Sequence, residues 1–173
     1  MKKKYLWIPF AIVCGALLGY VVFGCSSPKT VDNSTVSEFN LQRFLGKWYE
    51  LARFDHRFER GMEKCITVYT QNEDGTVKVE NQGWKNGELE EARGKAKLTN
   101  TPGLLRVSFF GPFYSDYRVM MLAPDYSYAL VGSGTDDYLW IMSRTPTLPQ
   151  STMDTILDEA RHRGYDTSKL IWM

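Results

Sequence analysis

From Asn40 onward the spacing of apolar positions changes from a helical to a strand period within a dozen residues. Leu41, Phe44 and Leu45 recur at helical spacing, Gly46 interrupts them, and residues 48–51 begin to alternate. This predicts one helical turn that closes an end of a barrel, with Trp48 plugging that end from inside. Short β-rich runs follow at residues 48–54, 65–71, 76–83, 90–99, 104–110, 114–122, 126–131 and 137–143, divided by turn signals. Asn72 to Gly75 and Asn86-Gly87 read as hairpin turns. Eight strands joined mostly by short turns form an up-and-down antiparallel meander, and closure removes both exposed edges. The fold class is therefore all-β, an eight-stranded barrel whose interior fits side chains plus one small ligand.

After the strands the period returns to helical. Pro149 suits a first turn, Met153, Ile156, Leu157 and Ala160 form one apolar stripe, and Gly164 ends it. A single stripe predicts a C-terminal α-helix packed on the outside of the barrel. Residues 169–173 (KLIWM) can add a last strand to a sheet edge.

The first thirty residues obey another pattern. Lys2, Lys3 and Lys4 precede an uncharged apolar run over residues 5–23, about the length of a membrane span, so cleaved signal and uncleaved anchor both fit. Gly24-Cys25 followed by Ser26-Ser27 resembles the lipobox of bacterial lipoproteins, although Phe23 is bulkier than that position usually carries. The resemblance implies a signal peptide over residues 1–24, acylation of Cys25 and a membrane tie through the acyl chains. Ser26 in place of an acidic residue favours the outer membrane. Residues 25–39 read as a lipidated cysteine and flexible tether, and 40–173 as the barrel domain. Loss of the leader leaves 18 basic against 20 acidic residues, a balance that argues against a nucleic-acid partner. Of three cysteines, Cys14 leaves with the leader and Cys25 is acylated, so Cys65 is left alone as a buried thiol.

Parity sorts the candidate site. Trp48, Glu50, Ala52 and Phe54 share one face of the first strand; Tyr138, Trp140 and Met142 alternate with the residues before Arg144; Tyr117, Val119 and Met121 form a third set. Phe58, Phe113 and Tyr114 fall in loops at the expected mouth. Parity does not decide whether these side chains fill the barrel or line a cavity.

Three motifs carry a family resemblance. Gly46-Lys47-Trp48 resembles the G-x-W motif of lipocalins, Ser115-Asp116-Tyr117 resembles their T-D-Y motif, and Arg144 matches the arginine that packs over the motif tryptophan. Runs such as RFERGMEKC and SFFGPFYSDY are similar to the bacterial outer-membrane lipoprotein branch. The resemblance implies a cavity that holds a fatty acid or lysophospholipid, for membrane maintenance, with Ala52, Phe54, Phe58, Tyr117, Val119, Met121, Tyr138, Trp140 and Met142 as lining. Asp116 would accept backbone N–H bonds in its adjacent turn. An isomerase-like enzyme or a haem carrier on the same barrel are the rival classes. Cys65 has no basic neighbour at usable spacing, and His56 and His162 are isolated, so no catalytic residue, metal or cofactor is expected. Oligomeric state stays open.

Overall fold

The computed structural model describes residues 31–56 and 59–173. The predicted leader, Cys25 and Phe58 lie outside the described residues. Leu41–Phe44 forms α1, capped by Asn40, whose Oδ1 accepts from the Arg43 amide at 3.2 Å. Eight strands follow: β1 (Gly46–Phe54), β2 (Glu63–Gln71), β3 (Val77–Lys85), β4 (Glu88–Leu98), β5 (Leu104–Phe110), β6 (Phe113–Leu122), β7 (Tyr128–Gly132) and β8 (Leu139–Ser143). Then come α2 (Gln150–His162) and β9 (Leu170–Trp172).

Each strand from β1 to β8 pairs antiparallel with the next, and β1 also pairs with β8, which closes the barrel. The β1–β2, β3–β4, β5–β6 and β7–β8 connections therefore share one end; α1 and the other turns share the opposite end. Along β1, residues 46–49 pair with β2, while Ala52, Arg53 and Phe54 pair with β9. The last strand thus covers the edge that β2 leaves bare.

Two apolar clusters result. The inner one joins Phe44, Trp48, Tyr69, Val77, Val79, Ala96, Leu105, Val119, Val131 and Met142. The outer one joins Ile156 and Ala160 of α2 with Ala52, Phe54, Met120, Leu130, Leu139, Ile141 and Tyr165, so the helix stripe meets the β6–β7–β8–β1 wall as its spacing predicts.

Simple alternation fails at four bulges, on β1, β2, β5 and β6, and those on β1 and β6 change the candidate lining. A bulge between Glu50 and Ala52 and another between Val119 and Met121 each insert a residue and reverse parity beyond it. Ala52, Phe54 and Met121 consequently pack in the outer cluster, contrary to their expected inward positions, and the fully buried Arg53 faces the interior instead. The free tether expected through residue 39 is corrected as well. The Asp32 amide donates to Arg163 O at 2.9 Å, the Val36 amide to Val119 O at 3.0 Å, and Arg163 Nη1 to Ser34 O at 2.9 Å. Those bonds fix the chain to the body from Asp32 onward.

Candidate functional site

One end of the barrel is shut by α1 and the side chains below it. Trp48 is fully buried, packs tilted against Phe44 with ring centroids 4.9 Å apart, and donates its indole N–H to Phe44 O at 2.8 Å. The Arg144 guanidinium lies 3.9 Å over the Trp48 ring. It also donates to Lys47 O at 2.7 Å, Arg43 O at 2.7 Å, Leu45 O at 2.9 Å and Phe44 O at 3.1 Å. Arg43 O, Phe44 O and Leu45 O are carbonyls that α1 leaves without helical partners and Lys47 O belongs to β1, so a planar fork just after β8 ties the plug to the first and eighth strands. Asp116 plays another part than expected: it accepts from Arg106 Nη1 at 2.6 Å and Arg118 Nη2 at 2.8 Å, not from turn amides.

Above the plug, Tyr69 of β2 reaches Tyr117 of β6 across the barrel, hydroxyl to hydroxyl at 2.8 Å. Burial raises both phenols above their ordinary range, so they stay neutral. Tyr69, paired with Gly46 and 5.3 Å from the Phe44 ring, belongs to the same buried cluster as the plug, so the bridge is its upper layer. Val119 lies wholly buried toward the shut end, as core. Toward the mouth the two walls differ. On one side stand Trp140, Met142 and Tyr138, the last stacked on Trp140 at 5.7 Å. The facing wall presents Thr67, Asn81, Ala92, Gly94, Ala96 and Val107, inward by their register with Tyr69, Val79 and Val77. Ala92 is exposed and Gly94 only half-buried although both face inward, so solvent reaches this wall. Gly94 is required there: a Cβ would lie 2.8 Å from Ser108 O and 2.9 Å from the Phe109 ring, which roofs the wall near the mouth.

The polar element of the interior is a buried cluster on β1 and the β1–β2 loop. Arg53 donates to Glu50 Oε1 at 2.5 Å, to Glu59 O at 2.5 Å and to Met62 O at 3.1 Å, which holds the loop against the barrel. His56 Nε2 stands 2.8 Å from Glu59 Oε2, and Trp140 donates its indole N–H to that oxygen at 3.4 Å. Burial, reinforced by the Glu59 charge and opposed by Arg53, pushes Glu50 up to about 8. For Glu59, burial is outweighed by its bond to His56 and the nearby Arg53, which hold it below the ordinary carboxylate range. Cys65 is buried beside Arg53, and burial pushes its thiol up to about 12, the opposite of an activated nucleophile.

The Glu50 shift has a measurable sign. A carboxyl whose folded pKa is raised favours the fold fully below its unfolded value and loses that contribution as pH climbs to about 8. Urea unfolding at pH 5 and pH 8 should therefore show the parent losing a few kcal/mol relative to Glu50→Gln. A difference between the two proteins that does not change with pH would contradict this assignment.

Of the residues expected to line the site, the structure brings Tyr117, Tyr138, Trp140 and Met142 to the interior, and it puts Ala52, Phe54 and Met121 outside. The small-residue wall and Arg53 were missed. Adjacent apolar pairs, Leu51-Ala52 and Met120-Met121, mark the reversals of parity on β1 and β6 in the sequence.

A lipocalin-like domain model matches residues 39–173. The outer membrane lipoprotein Blc of Escherichia coli (strain K12) is 44% identical over 167 residues, covering 94% of each chain. Its namesake from Vibrio cholerae is 44% identical over 170 residues, covering 95% of this chain and 96% of that one. Matches of that extent run past the start of the barrel into the residues before it. Among solved structures, insecticyanin from the tobacco hornworm superposes with a TM-score of 0.65 at 23% identity, covering 86% of this chain and 84% of its own, which supports the fold.

Proposed function

From the premise that the chain belongs to the lipocalin family, we propose that it holds one fatty acid or lysophospholipid in the mouth half of its barrel while a lipid anchor at Cys25 keeps it on the outer membrane. The observation that carries this reading is the asymmetry of the interior. A plug fills the end below the Tyr69–Tyr117 bridge, whereas the wall of small residues above it is reached by solvent. Trp140, Met142 and Val107 supply apolar contact, and Met adapts to an irregular chain. Each methylene buried there gains about 0.8 kcal/mol, so an acyl chain of about ten gains enough for micromolar binding after ordering costs. The buried Glu50–Arg53–Glu59 cluster serves as structure and as a polar contact near the mouth. With the Cys65 thiol held protonated, binding without turnover is the favoured role.

The test is mass spectrometry of lipid extracted from natively purified protein, which should find one acyl-bearing species per barrel. Protein that is lipid-free by this measure would contradict it. In the same cells Cys25→Ala should move the protein from the membrane to the soluble fraction; continued membrane retention would support an uncleaved anchor instead.

A further inference from the structure

The position of Val31, six residues after Cys25, constrains how an anchored barrel sits on a membrane. Val31 packs against Gly164 and, with Phe54, Asp136 and Tyr165, borders a depression of about 540 Å³. Phe54 ends β1 and Asp136 belongs to the β7–β8 loop, so Val31 lies at the mouth end. From there the chain descends the outside of the barrel, through the Val36–Val119 bond, to Asn40, whose amide donates to Tyr126 Oη at 2.8 Å at the shut end. Six residue steps separate Cys25 from Val31 and span at most about 20 Å. Reaching a bilayer placed at the shut end would mean doubling back along residues 31–40, roughly another 30 Å of extended chain. The leash is too short for that.

The mouth end also carries the apolar surface that a bilayer would cover. Phe113 is 56% exposed and Phe109 44%, flanking Gly111-Pro112 at the tip of the β5–β6 hairpin. Near the tip of the neighbouring β3–β4 hairpin, Trp84 is 43% exposed and Leu89 36%. At this end Arg60, Lys64 and Lys85 stand among Asp55, Glu59, Glu63, Glu88, Asp136 and Asp137, so the rim leans acidic and offers no attraction to anionic lipid, which points to zwitterionic headgroups. Exposed aromatic side chains at the tips of these hairpins suit the interfacial zone of a zwitterionic bilayer.

We propose that the anchored barrel rests mouth-down on the phospholipid bilayer that holds its own acyl chains, with Phe109, Phe113 and Trp84 in the interface, so that a lipid passes between bilayer and barrel without crossing water. This rests on the anchoring at Cys25 argued above. The test uses the full lipidated protein in phosphatidylcholine vesicles, labelled with bimane at Glu88→Cys (mouth end) or Asn100→Cys (shut end). Nitroxide carried on the lipid acyl chains should quench the mouth label several-fold more than the other. Phe109→Ser with Phe113→Ser should at least halve that quenching while the protein stays with the vesicles. Equal quenching, or stronger quenching at position 100, would overturn the orientation. So would a dimer whose mouth label is shielded from lipid and from aqueous iodide alike, because a second copy would then cover the patch. Release of the parent protein from the vesicles would overturn the anchor and the orientation with it.

Discussion

Arg144→Ala lowers the unfolding free energy by about 4 kcal/mol, a result of removing donors from several carbonyls at once together with the stack on Trp48. Arg43 O, Phe44 O, Leu45 O and Lys47 O all accept from this one guanidinium. Arg43 O and Lys47 O lie where water can replace the guanidinium, whereas the part-buried Phe44 O and Leu45 O reach water only if the α1 plug loosens. Arg144→Lys keeps the charge but lacks the fork, and it should recover less than half of the loss. Urea unfolding followed by tryptophan fluorescence reads both variants. A loss below about 1 kcal/mol for the alanine variant would mean that the plug holds without its clasp.

The second large effect is on binding. Ala92→Trp places an indole in the wall that solvent now reaches, where the proposed chain would lie. Displacing about three methylenes at 0.8 kcal/mol each costs more than tenfold in affinity. Trp140→Arg puts a charge on the opposite wall, beside the chain's proposed path, with a similar or larger effect. Because Ala92 is exposed, its replacement should shift the melting temperature by no more than about 3 °C. Full lipid occupancy in both variants would place the ligand somewhere other than between these walls.

How much of this was legible in the chain follows from what each signal depends on. Strand number, turn positions, the α1 plug and the α2 stripe are set by local periodicity, and all of them stand in the structure. The pairing of Trp48 with Arg144 was legible because a short motif and a strand end met at a predictable place. Facing was not legible beyond Glu50 and Val119, since one bulged residue reverses every later side chain and parity counting assumes a perfect ladder. That is why Arg53, read as outward, is the centre of the interior ion cluster. The Tyr69–Tyr117 bridge escaped for a different reason: strands distant in sequence face each other only once the barrel closes. The tether was misread on composition, because polar residues such as Asp32 and Ser34 are ordered by backbone bonds to α2 and β6 that no local pattern announces.

The central claim is a ligand chamber above the Tyr69–Tyr117 bridge, with Trp140 in its wall and Trp48 sealed beneath. Titrating delipidated protein with a brominated fatty acid tests it, with Trp48→Phe and Trp140→Phe used to assign the fluorescence. The account predicts saturation at one equivalent, with strong quenching of Trp140 and little of Trp48. Quenching that does not saturate, or that falls on both indoles alike, would contradict it.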